Sequence, residues 1–166
     1  MRAAGQSDVP ALTAILAEPE VALWWSGDPP AESARSIVES GDPEAFVIQL
    51  DGDTIGCVQC YEEDDPDYRH AGLDVFLASA FQGKGLGSEA LRVLARHLFV
   101  ERGHHRLVID PRADNRRAIR AYERVGFRRI GVMRSCERGA DGAWHDGLLM
   151  DMLRGELVPE PEADAR

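Results

Sequence analysis

The plainest chemical signal in the chain is Gln82-Gly83-Lys84-Gly85-Leu86-Gly87, followed by Ser88. Glycines let backbone N–H groups come close to an anion, and a helix starting there adds its positive dipole end. The chemistry expected is phosphate or pyrophosphate binding. The spacing is not that of the lysine-serine phosphate loop, because no Lys-Ser or Lys-Thr pair follows the last glycine. It is not G-x-G-x-x-G either, since Ala90 stands at the third position. A lone glycine loop also serves as a tight turn, so the other reactive side chains matter. Asn115 and Tyr122 are seven residues apart and share a helix face. Asp74 and Asp110 each belong to an apolar strand segment. Trp24 and Trp25 offer faces for sugar stacking or for a cation, or else they pack in the core; being adjacent, both cannot face one core direction on a helix. Cys57 and Cys60 fall on opposite faces of a strand, which argues for buried small residues and against a metal or redox pair.

The elements that position these groups alternate between strand and helix. The glycine loop joins an apolar strand, Leu73 to Leu77, to a long helix with Leu86, Ala90, Leu91, Leu94 and Leu98 at helical spacing. Arg106 to Asp110 reads as a buried strand, and Asp114 is placed to cap a helix over Asn115 to Arg124 that Gly126 stops. Upstream, Met1 to Gln6 fits a short edge strand. Ser7 or Asp8 can cap a first helix ended by Pro19, and Ala31 to Ser40 forms a second. Strands over Ala45 to Leu50 and Thr54 to Tyr61 flank an Asp51-Gly52-Asp53 hairpin turn, and Glu62 to Asp67 reads as an acidic loop. His104 and His105 fall in a loop. Phe127 to about Glu137 and Ala143 to Leu153 form a last hairpin. The pattern predicts an α/β fold with a mixed sheet of about six or seven strands and helices on both faces.

The chain has 166 residues and a formal net charge of −10. That length fits one domain over residues 1–155, and the tail from Glu156, with its acids and prolines, reads as disordered. The acidic balance argues against nucleic acid and suits a small cationic partner. No apolar run is long enough to span a membrane, no signal-peptide pattern opens the chain, and three cysteines fit a reducing cytoplasm.

The pattern Gln82-x-x-Gly85-x-Gly87 resembles the pyrophosphate loop of the GNAT superfamily of acyl-coenzyme A N-acyltransferases, and Asn115-x6-Tyr122-x3-Gly126-Phe127 matches its second motif. Over roughly Leu23 to Leu153 the chain looks more closely like an aminoglycoside 6′-N-acetyltransferase. That likeness rests on Trp24-Trp25-Ser26-Gly27, Gly72-Leu73-Asp74, the glycine loop, Asp110-Pro111, Arg117-Ala118-Ile119-Arg120 and Tyr122-Glu123. The resemblance implies the GNAT fold, with its sheet splayed between the central strands, and acetyl-coenzyme A as cofactor. It implies coenzyme contacts from Phe76, Leu77, Gln82 to Ser88, Asn115, Ala118 and Tyr122. It places Trp24, Trp25, Asp74, Asp110, His145 and Asp146 on the acceptor side. Two stretches differ from that family, Glu62 to Tyr68 and Trp144 to Gly147, and both are expected to border the acceptor.

The implied reaction is direct attack of an amine on an acyl thioester. Backbone N–H groups at Gly83, Gly85 and Gly87 hold the pyrophosphate, with Lys84, Arg116 or Arg117 adding charge. An N–H near Phe76 or Leu77 polarises the thioester carbonyl. Asp74 takes the amine proton or anchors the ammonium. An ordinary aspartate titrates near ~3.9, and burial or a neighbouring Asp110 would raise it toward a useful value. Tyr122 protonates the thiolate or packs in the core, and His145 is a second candidate base or a surface histidine. Other acceptors, namely a protein N-terminus, a polyamine or a hydroxamate precursor, and a non-catalytic acyl-coenzyme A-binding module remain alternatives. A monomer and a homodimer are both compatible with the sequence.

Overall fold

A computed structural model describes residues 1–25 and 27–159. It contains a seven-stranded sheet in the order β1-β2-β3-β4-β5-β7-β6. The strands are β1 (Arg2–Ala3), β2 (Glu44–Leu50), β3 (Asp53–Glu63), β4 (His70–Leu77), β5 (Arg106–Ile109), β6 (Arg128–Arg138) and β7 (Trp144–Leu153). Five helices accompany them: α1 (Val9–Leu16), α2 (Pro19–Ala22), α3 (Pro30–Glu39), α4 (Leu86–Val100) and α5 (Arg116–Val125). Only the β4–β5 pair is parallel; the other neighbours are antiparallel. The mixed α/β sheet expected from the sequence is therefore the fold.

Period two along the strands divides the core into layers. Val58, Cys60, Leu73 and Leu107 pack with Leu91, Leu94, Leu98, Ile119 and Val125 of α4 and α5. On the other face Val47, Cys57 and Phe76 pack with Leu12, Ile15, Leu16 and Ile37 of α1 and α3. Cys57 and Cys60 thus sit on opposite faces, both buried and both free thiols, and burial pushes them up to about 12 and about 11.

The feature that makes the site is a failure of pairing. The β4–β5 ladder contains only Ala71↔Leu107 and Gly72↔Val108. Beyond Gly72, β4 runs on to Leu77 fully paired with β3. β5 ends at Ile109, two residues before Pro111, which has no N–H to offer a ladder. The sheet cannot zip further, so a wedge opens between the two strands.

Several local expectations need correction. Asp114 does not cap α5; the Asn115 side chain accepts from the Ala118 N–H at 3.1 Å, while Asp114 pairs with Arg112. The helix accordingly starts one residue later, at Arg116. Pro19 does not merely end α1; it opens α2, a position where its missing N–H costs nothing. Asp8 precedes α1 but makes no side-chain cap. Its carboxylate instead binds Arg2 at 2.8 and 2.7 Å, the Gly5 N–H at 2.9 Å and the Thr54 hydroxyl at 3.2 Å. Glu62 and Glu63 belong to β3 rather than to a loop. Glu62 binds Arg102 at 2.7 Å and His104 at 2.5 Å; His104 lies in the loop between α4 and β5, as expected, and is fully buried there. The tail does not come free at Glu156. Glu156 accepts from the Leu153 N–H and pairs with Arg128, and the Val158 N–H donates to the Val125 carbonyl, because these groups cover the end of α5. The remainder of the expected disordered tail, residues 160–166, lies outside the described residues, as does Ser26.

Candidate active site

The wedge is a cavity of about 730 Å³. One wall is β4, through Asp74, Val75, Phe76 and Leu77; the facing wall is Ile109, Asp110 and Pro111. α5 closes one side with Asn115, Ala118 and Tyr122, and the glycine loop forms the floor with Gln82, Gly83, Gly85, Gly87 and Ser88. Trp24 and Trp25 also line the cavity.

The glycine loop has the geometry that phosphate binding needs. Gly83 and Gly85 have φ of 77° and 87°, values that side-chain-bearing residues rarely adopt. A side chain at either would meet open space, so an anion can approach the backbone there. The first intrahelical bond of α4 is from the Glu89 N–H to the Gly85 carbonyl. The Leu86, Gly87 and Ser88 N–H groups precede it, as the first donors of any helix do. Gln82 lines the cavity. Its amide N–H donates to the Leu77 carbonyl at 2.7 Å, and its amide oxygen accepts from Arg117, so the side chain ties the loop to β4 and α5. Lys84 and Leu86 do not line the cavity; the Lys84 ammonium stands 5.4 Å from the centre of the Phe81 ring.

Ladder alternation gives the direction of the N–H groups along β4. The Ala78 N–H donates to Ile55 on β3. In an unbroken antiparallel ladder, residues 76 and 74 then also point their N–H groups at β3. Val75 and Leu77 point theirs the other way, into the wedge. Of the two expected candidates, the Leu77 N–H faces the wedge and the Phe76 N–H faces β3.

The charges are perturbed in the direction acid–base chemistry requires. Asp74 is partly buried, and burial first, then Asp110 and Glu137, push its carboxyl up to about 6. Asp110 is raised by its own desolvation, opposed by a backbone N–H. Tyr122 is buried, and desolvation followed by the two aspartates raises its phenol, which holds the hydroxyl protonated. Tyr61 is raised by burial, then by Asp110 and Asp74.

Two of the expected acceptor residues are elsewhere. His145 bonds Asp141 at 2.9 Å and Asp146 accepts from the Ser135 N–H at 2.8 Å; neither lines the cavity. The hairpin turn they serve uses them to hold its own shape. None of residues 62–69 lines the cavity either. In their place stand Tyr61, Arg112, Met133, Cys136 and Glu137. The Tyr61 ring lies over Gly72 on the neighbouring strand, where an added Cβ would fall 1.9 Å from the ring. Strand register put these groups at the wedge, and no motif announced them.

A splayed β4–β5 pair, a glycine-cradled helix start and a raised aspartate define an acyl-coenzyme A N-acyltransferase. The model of the acetyltransferase (GNAT) domain matches residues 5–134, and the chain belongs to that family. It is an acetyl-coenzyme A-dependent N-acetyltransferase. An aminoglycoside N(6′)-acetyltransferase type 1 from Klebsiella pneumoniae is 31% identical over 153 residues, covering 80% of this chain and 75% of that protein. A spermidine N(1)-acetyltransferase from Escherichia coli K12 is 28% identical over 115 residues, covering 69% and 61%. The solved structure of AAC(6′)-Ib with parmomycin and acetyl-coenzyme A superposes with a TM-score of 0.76 at 27% identity, over 99% of this chain and 97% of that one. Among the described residues no helix is long and apolar enough to cross a membrane.

Proposed function

We propose that the chain acetylates a primary amine of a polycationic sugar, the 6′-amine of an aminoglycoside. The observation that carries this reading is the convergence of Asp74, Asp110 and Glu137 on one cavity that Trp24 and Trp25 also line. Three carboxylates suit an acceptor with several ammonium groups, and aromatic walls suit a sugar ring. The similarity to an aminoglycoside N(6′)-acetyltransferase supports the same assignment.

Bound acetyl-coenzyme A supplies an activated thioester. The loop amides from Gly83 to Ser88 hold its pyrophosphate, and the Leu77 N–H donates to its carbonyl oxygen. Asp74, ionised above about pH 6, accepts the proton of the attacking amine. Tyr122 donates its hydroxyl proton to the departing sulfur.

The test is a thiol-release assay with kanamycin, tobramycin and analogues carrying a 6′-hydroxyl. Turnover should require the 6′-amine. Equal rates on the 6′-hydroxyl analogues would move the acetyl to another position. Turnover confined to spermidine or peptides would replace the acceptor and leave the acetyltransferase assignment intact.

A further inference from the structure

A buried arginine lines the cavity, and the reaction above makes no use of it. Arg112 is 8% exposed. Its Nε and Nη2 donate to the two Asp114 carboxylate oxygens at 3.2 and 2.7 Å. Its Nη1 reaches the Leu23 carbonyl at 3.5 Å, and its guanidinium carbon lies 5.1 Å from the centre of the Trp24 ring.

The two ends of this contact differ in rigidity. The Arg112 backbone is pinned on both sides. It bridges Gly147, the Leu148 N–H donates to the Pro111 carbonyl at 2.8 Å, and the Ala113 N–H donates to the Asp146 carbonyl at 2.8 Å. Trp24 follows α2, a four-residue helix too short to be stable by itself. Leu23 beside it is 50% exposed and contributes little anchoring. Burying a guanidinium is costly unless it is paired; Asp114 supplies the pairing, and the remaining Nη1 and one face of the guanidinium are turned to Leu23 and Trp24.

We propose that Arg112 is a positioning residue for the acceptor wall. It clamps Trp24 to the turn between β5 and α5, and so sets acceptor affinity while leaving coenzyme affinity and the chemical step unchanged. Because the guanidinium covers one indole face, that face receives no substrate ammonium. The acceptor's charges are directed to Asp74, Asp110 and Glu137, and an uncharged sugar face packs on the exposed side of Trp24. This inference rests on the acceptor reading above for its effect on affinity, but the clamp itself does not depend on it.

The experiment uses the full chain with Trp144→Phe, which removes the 64% exposed tryptophan outside the cavity. In this background Arg112→Gln, Arg112→Lys and Asp114→Asn are compared without ligand by tryptophan emission and acrylamide quenching. The Gln variant should shift emission to the red and increase quenching. Asp114→Asn, which breaks the pair from its solvent side, should move both the same way by less, and Lys should restore part of the change. With kanamycin, the Gln variant should raise the acceptor KM about tenfold, the equivalent of one good cation–π and hydrogen-bond contact, with kcat within a few-fold. The calorimetric Kd for acetyl-coenzyme A should not change. Unaltered emission and quenching in folded Arg112→Gln and Asp114→Asn proteins would overturn the clamp. Altered emission with an unaltered acceptor KM would overturn its role in affinity. If the parent protein leaves kanamycin untouched, the aminoglycoside reading fails separately; emission still decides the clamp, and the KM comparison moves to whichever amine the parent accepts.

Discussion

In the proposed reaction two side chains carry proton transfer, and each has a distinct signature. With Asp74 at about 6, kcat/KM should rise with pH through that value before levelling. Asp110→Asn removes a neighbouring negative charge and should move this limb to lower pH; a limb that stays put would mean that Asp110 does not face Asp74. Asp74→Asn should lose most activity yet stabilise the protein. A carboxyl raised in the fold costs nothing below its ordinary 3.8, and the cost grows between that value and about 6 and is complete above. The Asn variant should therefore gain on the order of 2–3 kcal/mol at pH 8 and nothing at pH 3. Melting curves at the two pH values measure it. Tyr122→Phe keeps the ring that packs on Phe127 and removes the hydroxyl. Turnover should fall about 10²-fold if acetyl transfer is rate-limiting, and full turnover would return Tyr122 to a packing role.

At the scale of elements, the start of α4 and the first strand are the informative places. Gly85→Asp puts a carboxylate where the pyrophosphate is held and a side chain where φ is 87°. The coenzyme Kd should rise sharply in a protein that still folds, since a Cβ there meets no atom; calorimetry decides. The first strand is fixed by Asp8, whose carboxyl is held below the usual range mainly by Arg2. A depressed carboxyl adds stability above its ordinary value, and that stability is lost as pH falls through the folded one. Asp8→Ala should cost about 2 kcal/mol at neutral pH, lowering Tm by roughly 4–8 °C, because it strips partners from Arg2, Gly5 and Thr54. The difference from the parent should shrink toward acid pH.

Over the whole molecule, the net charge of −10 acts on encounter rather than on fold. For a polycationic acceptor, kcat/KM should fall several-fold between roughly 20 and 200 mM salt as the field is screened. A rate indifferent to salt would leave the surface acids with solubility alone.

How far the sequence reaches follows from the range of the physics. The strand, glycine loop and helix from Leu73 to Val100 were legible because turn chemistry and apolar spacing act over a few residues, while the three further residues of β4 from His70 were not. The shared face of Asn115 and Tyr122 was legible for the same reason. Cys57 and Cys60 could be assigned to opposite faces from the period of a strand alone. Whatever depends on which strand lies beside which was not legible. The Tyr61 ring reaches the acceptor side because β3 pairs with β4 in a register that sets it on Gly72. Arg112 meets Trp24 across 88 residues of chain, and Glu137 enters the cavity from the far hairpin. His145 and Asp146, assigned to the acceptor by resemblance, were taken by their own turn. Local propensity and motif spacing determined the glycine-loop and α5 walls of the cavity; its remaining lining, assembled from five separated segments, was decided only by strand register and the wedge where β5 stops short.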